Sequence, residues 1–338
     1  MTGRNTQRDN FTFYRYSRYL KEKYGESVYR IAVDAGFTCP HRGPDGSGGC
    51  TFCDELGSRA AYQEEVVDGS RLVIRRGRAV NTERLELIQR QIDRGREFLS
   101  RRYGASLFIL YFQAFTNTFA PVEELKRIYD YALGLAPFRE LIVSTRPDCI
   151  DARVADLLRS YARPDFDVWV ELGLQSAHNT TLRRVHREHT VEEFEEAFFL
   201  LRERGIKITV HLIFGLPGES VEEIMETVDF VAALAPEAVK IHNVNVAAGT
   251  LLEEEYLAGE YAVPSDLRHL KYVIEALRRL PETTVVQRVT CDTDEERRRA
   301  PLHFMSKNRF YQLLENRMQR NGFRQGDLLT PGGRRNKS

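Results

Sequence analysis

The sequence predicts an α/β protein, a partial (β/α)6, TIM-like barrel followed by a C-terminal extension. Three observations carry this reading. Six short β-rich apolar runs recur between residues 27 and 246, and stretches of helical period separate them. The runs are apolar at consecutive positions, as in LFILYF, which suits strands covered on both faces. No Gly-x-Gly-x-x-Gly or Walker-type phosphate loop follows any run, which weakens the competing doubly wound sheet. Right-handed βα crossovers then make an open six-stranded barrel the simplest topology.

Residues 1–25 are polar and aromatic and predict a helical N-terminal extension. The barrel core is expected over 26–250. Its strands are SVYRIAVDA (27–35), SLFILYFQ (106–113), ELIVST (140–145), DVWVELGL (167–174), IKITVHLIFG (206–215) and EAVKIHNVNV (237–246). Helices are expected over 82–103, 121–135, 151–161, 190–205 and 220–234. Ala120-Pro121 puts proline at a first helical turn, while Thr190 before Glu193 and Ser220 before Glu223 have the spacing of capping boxes. Phe194, Ala197, Phe198 and Leu201 share one helix face and predict burial against the sheet. The extension, 251–338, holds a helix over 265–279, a seventh strand candidate over 283–290, a basic helix over 304–321 and a disordered end, PGGRRNKS.

A chain of 338 residues with 42% hydrophobic content can bury a substantial core. Forty-nine basic and forty-nine acidic side chains give no net charge, so there is no overall polycationic signature of a nucleic-acid binder. No apolar run approaches the length needed to span a bilayer and the start has no signal-peptide core, so a cytoplasmic protein without membrane association is expected. Five cysteines are an odd set that argues against a disulfide framework. Cys149 and Cys291 stand alone and read as tolerated thiols.

The other three, Cys39, Cys50 and Cys53, lie in GFTCPHRGPDGSGGCTFCDE (36–55), directly after the first strand. In a βα barrel that is the C-terminal face, where active sites are built. Gly43, Gly46, Gly48 and Gly49 let the backbone fold tightly and turn amide N–H groups toward a negatively charged cluster. Structural zinc needs a fourth ligand, which His41 or a residue elsewhere in the chain could supply. A four-iron cluster on three cysteines instead leaves one iron open, and the open place becomes useful.

The ending Cys50, Phe52, Cys53 after the first strand resembles the radical S-adenosylmethionine (SAM) superfamily. GFTCPHRGPDGSGGCTFC, YFQAFTNTFAP, STRPDC, ELGLQSAHNTTL and HLIFGLPGE together resemble its YhcC/YtqA-type proteins, relatives of the elongator catalytic subunit and of oxygen-independent coproporphyrinogen oxidase. The resemblance spans about residues 10–300. It implies a barrel of the radical SAM type, a [4Fe-4S] cluster on Cys39, Cys50 and Cys53, and S-adenosyl-L-methionine as cofactor. Cofactor contacts are then expected from Phe52, Gln113, Thr116, Ser144, Arg146, Glu171, Gln175, Arg187 and His211, all near strand C-termini. Gln175 and Arg187 have the spacing of the relatives' ribose and methionine-carboxylate contacts. Four departures stand out: ten residues separate Cys39 from Cys50 where the superfamily most often has three, a gap that becomes a feature of the subgroup; QAFTNT lacks the usual glycines and glutamate; Ser144 replaces an acidic residue; and His211 replaces an aspartate. Read without the resemblance, Glu171 is a structural carboxylate paired with a barrel arginine, His211 a satisfied core histidine and Arg187 part of a solvated helix end.

The implied reaction is reductive cleavage of SAM to a 5'-deoxyadenosyl radical that abstracts hydrogen from a substrate, with an electron donor such as flavodoxin or ferredoxin. The relatives point to tRNA, at carbon 5 of the wobble uridine. Compatible features are the arginine-rich stretches 71–78 and 297–299, the basic segment 307–324 and the aromatics Phe11, Phe13, Tyr14 and Tyr16. Ordinary solvated surfaces explain them equally. A small-metabolite substrate and a non-catalytic zinc or RNA-binding scaffold are the alternatives.

Overall fold

The computed structural model describes residues 11–43, 47–53, 81–293 and 295–329. Seven parallel strands form one curled sheet. In order they are β1 (Val28–Val33), β2 (Leu107–Phe112), β3 (Phe138–Thr145), β4 (Asp167–Gln175), β5 (Lys207–Phe214), β6 (Ala238–Asn243) and β8 (Val285–Arg288). Each strand pairs with the next in that order, as a chain of βα crossovers dictates. The outer layer holds α2 (Thr82–Tyr103), α3 (Val122–Gly134), α4 (Ala152–Tyr161), α6 (Val191–Glu203), α7 (Val221–Leu234) and α9 (Asp266–Arg279). The expected boxes close both α6 and α7: Thr190 and Ser220 each accept from the backbone of the glutamate three residues on, whose side chain reaches back. The expected stripe of α6 is buried, and its two phenylalanines lie 5.9 Å apart between helix and sheet.

The expected barrel of six strands gains a seventh, from the extension. Between β6 and β8 the chain also forms β7 (Val246–Ala247) and α8 (Leu251–Leu257), and β7 pairs antiparallel with β9 (Arg298–Ala300). The sheet does not close by backbone hydrogen bonds; its order runs from β1 to β8 and stops. The outer edge of β8 is covered instead by the N-terminal segment, because Val286 N–H donates to the Tyr14 carbonyl at 2.8 Å. Gln325, after α10 (Lys307–Arg320), staples that segment in place by accepting from Tyr14 N–H at 2.8 Å and donating to the Thr284 carbonyl at 2.8 Å.

Helix α1 (Tyr16–Tyr24) plugs the N-terminal end of the lumen. Leu20 packs there with Val28, Ile109, Ile142, Trp169 and Val285, and Tyr19 meets Trp169 edge to face at 5.8 Å. This settles the N-terminal aromatics differently from a base-stacking platform. Phe13 is buried in the main core beside Tyr311, the Tyr14 hydroxyl donates to Glu22, and Tyr14 and Tyr16 pack on the floor, Tyr16 against Arg30 at 4.4 Å; Phe11 alone of the four is exposed. The stretch 71–78 lies outside the described residues. Within 297–299, Arg299 pairs with Glu253 and Arg298 with Glu295. No helix among the described residues is long and apolar enough to cross a membrane.

Above the floor the lumen is charged. Glu171 accepts from Tyr111 at 2.6 Å, from Lys240 at 2.7 Å and from Arg30 at 3.1 Å; Arg30 also donates to Gln287 at 2.7 Å, spanning β1 to β8. Burial disfavours the Glu171 charge, but Lys240 and then Arg30 hold its carboxyl well below the usual carboxylate range. Replacing Glu171 by leucine strands two cations and is expected to cost ~3–5 kcal/mol of unfolding free energy. Adding Lys240→Met should recover part of that in urea melts; a single variant as stable as wild type contradicts the clasp.

Four histidines, His189 and His269 buried and His211 and His242 partly so, weigh on the acid stability. Burial, first in each case, pushes His189 and His211 down to about 3, His269 down to about 4 and His242 well below its usual value. The unfolded chain therefore binds more protons than the folded one as pH falls below about 6.5, and stability is lost in that direction at up to ~1.4 kcal/mol per pH unit for each histidine. Glu219, raised by burial to about 7, acts oppositely and offsets one of them. Unfolding midpoints in urea should therefore fall between pH 7 and pH 5, less steeply for His269→Gln; a flat profile contradicts this.

Candidate active site

The site is built where strands β1–β5 end. The loop after β1 is held at Thr51, whose N–H donates to the Val185 carbonyl at 3.0 Å and whose carbonyl accepts from Leu252 N–H at 3.0 Å. The arms of its glycine turn bond through Gly43 N–H and the Ser47 carbonyl, 2.8 Å apart. At Gly48, with φ of +76°, a Cβ would meet the His41 carbonyl oxygen at 2.9 Å, so the close wrap needs glycine there. Arg42 donates to the Cys53 carbonyl at 2.6 Å and lies 5.2 Å from the Phe115 ring, tying this loop to the one after β2.

Basic and polar groups approach two of the three thiols, those of Cys50 and Cys39. Cys50 Sγ lies 3.6 Å from Arg187 Nη1 and 4.0 Å from Arg146 Nη1, and Thr116 Oγ1 donates to Cys39 Sγ at 3.4 Å. Both guanidiniums are buried and oriented. Arg146 pairs with Asp148 at 2.8 Å and donates to the Arg187 carbonyl; Arg187 donates to the Gly173 carbonyl and to His189 Nε2, both at 3.0 Å. Gly173 is what admits Arg187, because a Cβ there would meet its Nη2 at 2.6 Å. Two positively charged side chains beside one sulfur suit an anionic cluster.

Among the described residues no group of three or more His, Cys, Asp or Glu could hold a metal ion. His41, one candidate for the fourth ligand of a zinc site, has its Nε2 2.7 Å from Asp148. Of the remaining cysteines, Cys149 follows Asp148 at the edge of the same site and Cys291 lies after β8; burial pushes their thiols up to about 12 and about 11.

The expected cofactor-facing residues fall into three groups. Thr116, Arg146 and Arg187 touch the thiols, as above. Gln175 and His211 present the atoms that ask for a ligand: Gln175, at φ +74°, leaves Oε1 buried without a hydrogen-bond partner, and His211 leaves Nε2 the same way. Gln113, whose N–H donates to the Val33 carbonyl, and Ser144, whose carbonyl accepts from the Asn117 amide at 2.9 Å, lie at the ends of β2 and β3. The Phe52 ring packs with Val185, Leu216, Val246 and Tyr261. Glu171 stands apart, because its carboxylate is filled by Arg30, Lys240 and Tyr111 lower in the lumen.

Several residues were missed from sequence. After β2, Ala114 and Phe115 both take positive φ (70° and 58°), a costly pair held by Asn117, which donates to the Ala114 and Ser144 carbonyls. Nothing in QAFTNT announces this. Lys240 and His242 alternate with Val239 and Ile241 in a strand read only as apolar, and that alternation was the available signal. His242 meets His211 edge to face at 4.1 Å, also with an unpartnered buried Nε2.

The chain matches known proteins over most of its length. The family model described as the radical SAM superfamily matches residues 37–231, and that of the radical SAM C-terminal domain matches 236–320. The uncharacterized protein MJ0486 of Methanocaldococcus jannaschii is 32% identical over 94% of this chain and 92% of its own length. Protein YhcC of Escherichia coli is 32% identical over 88% of each. The tRNA uridine(34) acetyltransferase of Methanocaldococcus infernus is 32% identical over 45% of this chain and only 28% of that protein. A solved structure of Methanocaldococcus infernus Elp3 lacking residues 1–46 shares the fold with a TM-score of 0.63 at 20% identity, over 88% of this chain and 64% of that one. By family match and by identity across nearly the whole chain, this protein belongs to the radical SAM superfamily.

Proposed function

We propose that this radical SAM enzyme modifies the carbon-5 side chain of a tRNA wobble uridine, with Cys39, Cys50 and Cys53 as the cluster ligands. The superfamily works with a [4Fe-4S] cluster and SAM and draws on an electron donor; flavodoxin or ferredoxin fits that place here. The single observation that carries the enzymatic site is the approach of Arg146 and Arg187 to Cys50, with Thr116 over Cys39, at the strand ends. When bound, the cluster and SAM supply a 5'-deoxyadenosyl radical that takes a hydrogen atom from the substrate.

The chain's own residues do the rest. Arg146 and Arg187 offset the negative charge of the thiolate assembly, and Arg187 keeps N–H groups to spare for the methionine carboxylate. Gln175 Oε1 accepts from a ribose hydroxyl, and His211 Nε2 completes the pocket wall; both would otherwise remain buried and unpaired. Gln113, Ser144 and the Phe52 backbone are the further cofactor contacts. Glu171 supports from beneath by fixing β4 through Arg30 and Lys240 rather than by touching the cofactor. The RNA half of the reading rests on the similarity to a protein named tRNA uridine(34) acetyltransferase, over under half of this chain.

Two outcomes follow. Arg187→Gln removes a positive charge beside Cys50 and should lower the cluster's midpoint potential in an EPR-monitored titration, with Gly173→Ala moving it the same way by displacing the guanidinium. An unchanged potential in both contradicts the charge role. Digested tRNA from cells without the gene should lose one modified wobble uridine and accumulate its precursor. An unchanged nucleoside profile rejects the RNA substrate while leaving the cofactor site untouched.

A further inference from the structure

The upper lumen carries a positive charge that no described residue neutralises. In β8 the register slips: Val239 pairs with Val286 and Lys240 with Arg288, so Gln287 is an extra, bulged residue. Laterally paired residues on neighbouring strands point to the same face, so Arg288 shares the lumen with Lys240. Gln287 enters the same space, accepting from Arg30 at 2.7 Å and donating to Thr209 at 2.8 Å. A regular strand would have turned one of these two neighbours outward; the bulge delivers both.

Their fates differ. Lys240 is taken by Glu171, whereas the Arg288 guanidinium makes no hydrogen bond or ion pair among the described residues. Its charge acts on Lys240, His211, His242 and Lys307. Lys307, the first residue of α10, is exposed and has no ion-pair partner among the described residues; desolvation and then Arg288 hold its ammonium below the usual range, against the opposing pull of Asp292. Beside them stand His211 and His242, 4.1 Å apart, each with a buried Nε2 lacking a partner. A half-buried guanidinium without an ion-pair partner, set beside buried imidazole nitrogens that also lack one, favours the arrival of an anionic group.

We propose that Arg288, with Lys307 nearby and the Nε2 atom of His242, forms a subsite for an anionic group of the substrate, a carboxylate or a phosphate. Arg288 is the principal partner, because its planar fork can take two oxygens of either group. This rests on the enzymatic reading of the lumen, not on the substrate being RNA. A cation-lined space at that depth selects substrates with an acidic substituent near the reacting carbon.

The test uses anaerobically reconstituted enzyme, with acetate and inorganic phosphate as probes at constant ionic strength, and reads the thermal unfolding midpoint. One anion should raise the midpoint saturably in wild type, with apparent affinity about tenfold weaker in Arg288→Gln. Arg288→Lys should fall between. Preference for acetate identifies a carboxylate site and preference for phosphate a phosphate site. The response should persist at saturating SAM, with SAM affinity unchanged in both variants. No stabilisation of wild type by either anion, an equal response in Arg288→Gln, or abolition of the response by SAM each overturns the proposal. The wild-type arm decides even if a variant misfolds, and because no RNA is used, failure here leaves the nucleoside test standing.

Discussion

Glu171 accepts from side chains on three strands, Arg30 of β1, Tyr111 of β2 and Lys240 of β6, and the shape of the sheet follows from that convergence. Seven parallel strands that stop short of closure leave two edges with nothing in the backbone to draw them together. The buried carboxylate draws them together through side chains. Arg30 extends the reach to Gln287 of β8, so first and last strands meet across the lumen. Such an arrangement is conditional, because each partner compensates the desolvation of the others and removing one exposes the rest. Below it the lumen is an apolar floor sealed by α1; above it the space stays polar.

That division gives the site its character. The strands deliver side chains upward to one rim, and the loop after β1 lays its thiols across it. Gly173 explains how β4 serves two masters: lacking a Cβ, it lets Arg187 return under the loop to reach Cys50, while its own carbonyl helps fix that guanidinium. Arg146 arrives from β3 and is locked by Asp148, which also engages His41 of the cysteine loop. Three loops from different strands thus share one charge network.

The barrel, its helix caps and the cysteine loop were legible because each depends on local pattern: consecutive apolar residues for covered strands, Thr190 and Ser220 for helix starts, and glycines beside three thiols for a tight wrap. The floor was not legible. Tyr16 and Tyr19 belong to a polar-looking segment, and only the mouth they plug makes them core. Glu171 gave two readings because a buried carboxylate looks the same in sequence whether strand neighbours or a ligand satisfy it; register decides. Arg288 was hidden for a related reason, since a single bulge in β8 turns it inward and no residue type announces that bulge.

The most direct measurement combines iron and sulfide analysis of anaerobically reconstituted protein with the yield of 5'-deoxyadenosine on reduction, in wild type and Cys53→Ala. If the thiolates of Cys39, Cys50 and Cys53 hold the cluster, wild type carries about four irons and four sulfides and cleaves SAM, and the variant loses both. Full cluster content with undiminished cleavage in Cys53→Ala, or a colourless wild-type protein holding zinc, contradicts the account.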